Sequence, residues 1–259
     1  MGFSNLGLTM TRKSFNKDIY KGYKSFYGQP IGILMMDSII PRPLGDIGNA
    51  YTFDFPVRYK VVKGSLTDRI ILNPDYTLLD AFIEAAQELE EEGVRAITTS
   101  CGYLALFQKE IANSVNVPVF TSSLLQAPMV KKMLHEEQEI GILVADSRTI
   151  TDTHFQSAGI DFPVVVQGSE NYPAFYDVFP TDTTLELNYD LCCQQVIQMV
   201  NDMLNNHPEV GAIVCEGSNF AIFRSAVQEA TGIPFFDIVT LTRMVHQCVI
   251  PIGMSKGYM

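Results

Sequence analysis

A 27-residue stretch of this chain recurs 116 residues further along, and this repeat constrains the fold more than any other feature. Residues 94–120 align with residues 210–236 without a gap, and seven of the 27 pairs are identical. The identical pairs are Val94/Val210, Ala96/Ala212, Ile97/Ile213, Ala105/Ala221, Phe107/Phe223, Pro118/Pro234 and Phe120/Phe236. Buried strand–helix units share some residue types by chance, but the shared Phe and Pro positions favour duplication. The repeat therefore predicts two similar lobes that face each other across a cleft.

The rest of the chain alternates between short apolar runs and segments with helical periodicity, which is typical of α/β proteins. Strands are predicted at residues 30–36, 56–63, 95–99, 117–120, 139–144, 162–166, 212–215 and 235–239. Helices are predicted at residues 78–92 and 104–115, from Ser122 or Ser123, and near 186–205 and 219–230. We therefore expect a mostly parallel sheet in each lobe, flanked by helices. Ligands of such sheets bind beyond the carboxyl ends of the strands, here residues 99–103 and 215–219.

Charge and composition exclude several classes of partner. The formal net charge of −11 argues against a nucleic acid or an anionic membrane surface, which would require a basic face. No apolar run approaches the length of a membrane span or a secretory signal, and we interpret residues 1–28 as an N-terminal leader. Five cysteines, an odd count without a CxxC pair or zinc-ligand spacing, predict reduced thiols in the cytoplasm and no structural metal.

Cys101 is the main candidate for chemistry, because it lies between a predicted strand and the first turn of a helix. The positive end of a helix dipole lowers the pKa of a thiol, so this position predicts a thiolate. Backbone N–H groups of Gly102 and Tyr103 would hold a substrate carboxylate at the same place. Removal of a proton next to a carboxylate needs such a base together with preplaced donors. The alternative is a buried cysteine that only fills the core.

Residues 96–104, Ala-Ile-Thr-Thr-Ser-Cys-Gly-Tyr-Leu, resemble the first cysteine motif of the aspartate/glutamate/hydantoin racemase superfamily. Residues 42–49, 120–124 and 141–148 are similar to segments of one subgroup, to which algal dimethylsulfoniopropionate lyases look related. The resemblance covers roughly residues 30–250. It implies two pseudo-symmetric lobes, no cofactor, a homodimer, and two cysteines that flank the substrate α-carbon from opposite sides.

The second half departs from the superfamily pattern, because Gly217 stands where the repeat aligns with Cys101 and a second cysteine is expected. Cys215 lies two residues earlier, about 6–7 Å deeper along the strand, and is either a core thiol or a group that reaches the cleft. Glu216 is a candidate second acid or base, although neighbouring strand residues face opposite ways. With one cysteine, chemistry from one side is more natural than racemisation by two bases.

Further candidates for substrate binding surround the two strand ends. Arg42 and Asp46 either grip a charged substrate or belong to a plain turn, and Ser122 and Ser123 either donate to a carboxylate or cap a helix. Ser218 and Asn219 are expected to bind substrate because they follow the second strand end. Histidine 154 is the one histidine of interest, and the remaining cysteines are expected in the core. They are Cys192, Cys193 and Cys248.

The sequence therefore predicts an α/β enzyme with two pseudo-symmetric lobes, formed by residues 29–121 plus 236–259 and by residues 122–235. Its expected function is that of an aspartate/glutamate racemase-like isomerase, in which Cys101 moves a proton α to the carboxylate of a small substrate. One alternative is a lyase that breaks a carbon–sulfur or carbon–carbon bond in a small carboxylate. Another is a small-molecule-binding protein that has lost catalysis.

Overall fold

The strands of this protein form two separate parallel sheets in the computed structural model, which describes residues 24–250. The first sheet has the order β2-β1-β3-β4 and the second has the order β6-β5-β7-β8. The strands are β1 (Ile31–Met36), β2 (Val57–Val62), β3 (Ala96–Thr99), β4 (Val119–Phe120), β5 (Glu139–Val144), β6 (Val164–Gly168), β7 (Val210–Cys215) and β8 (Phe235–Phe236). Residues 1–23 of the predicted leader and residues 251–259 of the predicted first lobe lie outside the described residues.

Helices connect and flank the strands. They are α1 (Leu79–Glu92), α2 (Gln108–Ser114), α3 (Ala127–Lys131), α4 (Asp152–Ser157), α5 (Pro173–Tyr176), α6 (Tyr189–Asn206), α7 (Arg224–Thr231) and α8 (Ile238–Val249). Short 3-10 segments occupy Ala50–Thr52, Tyr76–Leu78, Gly102–Phe107, Ser123–Gln126 and Ser218–Phe223, and a π-helical turn occupies Asp68–Leu72. Across residues 24–250, no helix has both the length and the apolar character that a membrane span needs.

The internal repeat has the same structure in both copies. The 3-10 segment Gly102–Phe107 matches Ser218–Phe223, and β4 matches β8, each at an offset of 116 residues. Helices α2 and α7 begin 116 residues apart as well. The predicted α/β fold with two pseudo-symmetric lobes is therefore confirmed.

The central strands form where the sequence is continuously apolar. All six residues of β1 are buried, as are the last five of β5, because helices cover both faces of a parallel sheet. Helix α1 places Phe82, Ala86 and Leu89 on one face, at helical spacing, against the first sheet. The carboxyl ends of β3 and β7 lie where the two lobes meet, because Ser218 after β7 is hydrogen-bonded to Ser100 after β3.

The predicted strand at residues 235–239 is wrong in its second half, where helix α8 begins. Asp237 ends β8 and caps the helix, since its side chain accepts a hydrogen bond from the Thr240 N–H at 2.8 Å. Helix α8 then packs Ile238 and Leu241 against Ile31 of the first sheet. The apolar run that suggested a strand is therefore the buried face of a helix.

The prediction that Cys248, on helix α8, lies in the core is wrong. Cys192 is buried in the core as expected, and Cys193 is half-buried. Cys248 is exposed, because the face of α8 that packs on the protein runs through Leu241 and Val245 and leaves Cys248 beside it.

Candidate active site

The two strand ends that the repeat singled out line one cleft between the lobes. Seven of the twelve predicted site residues contribute to its walls, namely Arg42, Cys101, Gly102, Glu216, Gly217, Ser218 and Asn219. The other five, Asp46, Tyr103, Ser122, Ser123 and Cys215, lie behind those walls. The structure thus brings together the residues at the carboxyl ends of β3 and β7.

Cys101 lies directly after β3 and precedes the 3-10 segment Gly102–Phe107. The expectation of a thiolate is wrong for this structure. Burial, followed by the nearby Glu216 carboxylate, raises the pKa of the Cys101 thiol well above its usual value. The backbone N–H groups of Tyr103 and Leu104 act in the opposite direction but have the smaller effect. Cys101 is therefore a neutral thiol at neutral pH and needs a proton acceptor before it can act as a base.

Glu216 lines the cleft together with Gly217, although neighbouring residues of a strand face opposite ways. This is possible because β7 ends at Cys215, so the strand alternation no longer holds at Glu216. One carboxyl oxygen, Oε2, accepts a hydrogen bond from the Ala145 N–H at 3.1 Å. The other, Oε1, is buried and has no hydrogen-bond partner among residues 24–250. Burial raises the pKa of Glu216 to about 8.

Gly102 leaves the space that the Glu216 carboxyl group occupies. A Cβ atom at position 102 would lie 2.6 Å from Glu216 Oε1 and still closer to the Glu216 carbonyl oxygen. Any side chain at this position would collide with both, so only glycine allows the carboxyl group to lie beside Cys101.

Gly217 faces the cleft at the position that the repeat pairs with Cys101, and it carries no reactive group. Cys215 does not replace it. Its side chain is completely buried in the core of the second lobe, in the same cluster as Leu143 and Phe220. Within the described residues, Cys101 is thus the one thiol that lines the cleft.

A buried carboxylate holds Arg42 in the cleft wall. Asp46 accepts hydrogen bonds from Arg42 Nη1 at 2.8 Å and from the Gly48 N–H at 2.7 Å. Its second oxygen accepts a bond from Asn219 Nδ2 at 2.7 Å, which joins the two lobes. Asp46 therefore positions both Arg42 and Asn219 without contacting the cleft itself.

The serine hydroxyl groups near the cleft form hydrogen bonds with backbone groups of the protein. Ser218 Oγ donates to the Ser100 carbonyl at 2.7 Å across the lobes, and Ser123 Oγ donates to the Cys215 carbonyl. Ser122 accepts a bond from the Leu124 N–H at 3.2 Å and so caps the segment Ser123–Gln126. These bonds fix the two strand ends relative to one another.

Two aromatic residues away from the cleft wall also have structural roles. The Tyr103 hydroxyl donates to the Asp146 carbonyl at 2.8 Å, which ties the segment after Cys101 to the second lobe. The His154 ring lies edge-on to the Tyr103 ring at 4.9 Å and is buried. Burial lowers the pKa of His154 to about 4, so this histidine is neutral at physiological pH.

The sequence prediction missed the second wall of the cleft. It consists of Phe175 from α5 and of Phe179 and Pro180 in the loop before α6. In that loop Asp182 accepts a hydrogen bond from Thr67 Oγ1 of the first lobe at 3.0 Å. No motif marks these residues, because only the fold brings a distant aromatic loop to the strand ends. In residues 24–250, no group of three or more His, Cys, Asp or Glu side chains is placed to hold a metal ion.

Comparison with solved structures identifies this arrangement of two parallel sheets around a cleft. An aspartate racemase homologue from Pyrococcus horikoshii superposes with a TM-score of 0.55 and 15% identity, covering 85% of this chain and 99% of the other. The chain has the fold of the aspartate/glutamate racemase superfamily. An arylmalonate decarboxylase structure has the same fold, with a TM-score of 0.55, 11% identity, and coverage of 86% and 94% of the two chains. The two-lobed fold that the motif resemblance implies is thereby confirmed.

Sequence comparison finds relatives that are named as lyases. Dimethylsulfoniopropionate lyase 3 of Emiliania huxleyi is 28% identical over 223 residues, which cover 81% of this chain. The match spans 57% of that lyase, so the chain corresponds to little more than half of its relative. No protein-family model matches the chain.

Proposed function

We propose that this protein is a cofactor-independent lyase that removes the proton α to a small carboxylate and expels a β-substituent. The observation that carries the proposal is the single thiol of the cleft, Cys101, opposite Gly217. Two-base racemisation requires a proton donor on each side of the α-carbon, whereas elimination requires a base on one side only. The similarity to dimethylsulfoniopropionate lyases favours the same class of reaction.

The walls of the cleft suit a substrate with two different ends. Arg42 offers a guanidinium group to a carboxylate, and Asn219 adds an amide nearby. Phe175 and Phe179, which also line the cleft, suit methyl groups or a methylated cation, which aromatic rings bind favourably. Dimethylsulfoniopropionate has such ends, and the acidic chain, with a net charge of −11, does not repel its sulfonium group.

The elimination needs one proton transfer and one bond cleavage. The deprotonated Cys101 sulfur takes the α-proton, and the C–H electrons form the carbon–carbon double bond. The β-carbon–sulfur bond breaks, and its electron pair leaves with dimethyl sulfide, so the other product is acrylate. Because the leaving group departs as a neutral molecule, it needs no proton from the opposite face of the substrate.

Racemisation is the second candidate, and one observation favours it. Glu216 is a second acid–base group in the same cleft as Cys101. If it reached the opposite face of the α-carbon, it would return a proton there. Glu216 packs beside Gly102, the neighbour of Cys101, and this favours the lyase.

Proton NMR in D₂O distinguishes these reactions. The wild type, Cys101→Ala and the matched control Cys215→Ala are each incubated with dimethylsulfoniopropionate and with both enantiomers of aspartate and glutamate. Vinyl signals from the wild type and from Cys215→Ala, but not from Cys101→Ala, would support the lyase. Deuterium at the α-carbon with inversion would instead establish racemisation. No change in any substrate, together with slow alkylation of Cys101, would favour a binding protein and contradict the proposal.

Compartment and assembly also belong to the proposal. All five cysteines are free thiols, which supports a reducing compartment such as the cytoplasm. We further propose the homodimer that the superfamily resemblance implies. Light scattering of the purified protein tests the dimer directly, since a molar mass near that of one chain would contradict it.

A further inference from the structure

The geometry of the cleft points to Glu216, in its ionised form, as the proton acceptor of the Cys101 thiol. This role rests on the proposed lyase function for its part in turnover. Glu216 would thus be the group that deprotonates the neutral Cys101 thiol. Glu216 would be a catalytic residue that acts on the reacting sulfur atom.

Burial and an unused acceptor atom support this assignment. The Glu216 side chain is almost completely buried, yet Oε1 has no hydrogen-bond partner among residues 24–250. A buried acceptor without a partner costs about 1–3 kcal/mol, so its retention calls for an explanation. The unsatisfied oxygen faces Gly102, the residue next to Cys101. The nearby Tyr103 N–H opposes the rise in the Glu216 pKa, and a thiol proton is a suitable further donor for Oε1.

The packing around Gly102 is a second, independent observation. The absence of a side chain at position 102 is what allows Glu216 Oε1 to approach the Cys101 segment. The Ala145 N–H holds the other carboxyl oxygen from the second lobe, so the carboxyl group is fixed from both sides. A residue that merely filled space would need neither the bond from the Ala145 N–H nor a glycine opposite its carboxyl group.

The surrounding charges couple the two groups. Apart from Cys101, the ionisable side chains that interact with this pair include Tyr103, Arg42 and Cys215. Glu216 raises the pKa of the Cys101 thiol, which identifies the pair as electrostatically linked. Two such groups titrate as a unit in two steps.

The resulting reaction sequence is balanced. The ionised Glu216 carboxylate takes the proton from the Cys101 thiol, and the thiolate then takes the α-proton of the substrate. The C–S bond breaks and its electron pair leaves with dimethyl sulfide. Glu216 finally releases its proton to solvent, so each turnover yields acrylate, dimethyl sulfide and one proton.

The first test measures the thiol and does not need a substrate. Wild type and Glu216→Gln are alkylated with iodoacetamide from pH 6 to 10, and mass spectrometry follows the Cys101 peptide separately from the exposed Cys248. Removal of the carboxylate charge should speed Cys101 alkylation where Glu216 is ionised in the wild type. At pH 10 we expect alkylation about tenfold faster, which corresponds to a pKa lower by about one, whereas below pH 7, where Glu216 is protonated, the two proteins should agree. An unchanged profile overturns the inference, whatever the turnover.

The second test measures turnover in the same variants. Glu216→Gln should reduce acrylate formation by about 100-fold or more, which is typical for loss of a general acid–base group. A more reactive thiol with less turnover is the combination that a purely structural role does not produce. Turnover within threefold of the wild type overturns the inference. If the wild type forms no acrylate but Cys101 alkylation changes as expected, the proposed function fails and the coupling of the two groups remains supported.

Gly102→Ala provides a variant that keeps the carboxylate but displaces it. We expect the same direction of change in alkylation and turnover as in Glu216→Gln. Gly211→Ala is the matched control, because a Cβ there meets only the end of the Gln138 side chain, 2.7 Å away and remote from the cleft. Circular dichroism establishes folding of both variants. A folded Gly102→Ala protein with the wild-type alkylation profile contradicts the inference.

Discussion

Replacing Glu216 by glutamine should change how the stability of the protein depends on pH. In the unfolded chain this carboxyl group ionises near pH 4.5, whereas burial keeps it protonated in the folded protein up to about pH 8. A carboxyl group whose pKa is raised by folding stabilises the folded state fully at pH values below its pKa in the unfolded chain. This contribution is lost progressively as the pH rises from 4.5 to about 8. Glutamine cannot ionise, so the free energy of unfolding of the variant does not decline in this way as the pH rises.

The structure sets the size of the effect. The difference between the two pKa values corresponds to roughly 5 kcal/mol at about 1.4 kcal/mol per pKa unit. At pH 9 the glutamine variant should therefore be more stable than the wild type by up to that amount. Near pH 4.5 the two should agree within about 1 kcal/mol, because the side-chain oxygen of glutamine can also accept the bond from the Ala145 N–H.

Urea titrations at pH 5, 7 and 9 measure the free energy of unfolding, followed by circular dichroism because the chain has no tryptophan. The variant Glu91→Gln is the control, since Glu91 is an exposed glutamate on α1. Its stability relative to the wild type should change little between these pH values. If the difference between Glu216→Gln and the wild type is equally independent of pH, Glu216 is not buried as described and the reasoning is refuted.

Three further substitutions test the packing and the cleft wall. Gly141→Ala should cost about 1–3 kcal/mol in a urea titration, since the new Cβ would collide with the Met203 sulfur; an unchanged midpoint would contradict this packing. Asn219→Ala removes the bond to Asp46 between the lobes and should cost about 1.5–3 kcal/mol in the same assay, and a neutral effect would count against that bond. Arg42→Lys keeps the charge but loses the guanidinium geometry, so steady-state kinetics should show KM raised about tenfold with kcat nearly unchanged; an unchanged KM would exclude Arg42 from carboxylate binding.

The strands and the repeat could be predicted because their signals are local. Short, continuous apolar runs such as residues 139–144 suit a strand that is covered on both faces, and the structure places β5 at the same residues. The end of β8 could have been predicted too. Asp237 followed by Thr240 is a helix-capping pattern, but the apolar residues around it resemble a strand equally well.

The thiolate prediction failed because it considered only the chain next to Cys101. The dipole of the following turn lowers the pKa of a thiol, but burial and the charge of Glu216 act on the same atom and have the larger effect. Glu216 is 115 residues away in sequence. Its approach to Cys101 depends on Gly102 and on the packing of two lobes, neither of which is visible in local sequence.

The sequence alone determined the two-lobed α/β fold, the position of Cys101 at a strand end, and glycine in place of a second cysteine at 217. Each follows from hydrophobic patterning or from alignment of the chain with itself, which need no knowledge of contacts. Tertiary structure decided that Glu216 enters the cleft, that Cys215 stays in the core, and that Asp46 holds Arg42 and Asn219. These depend on where strands end and how lobes pack, since the environment of a polar group is set by residues distant in sequence.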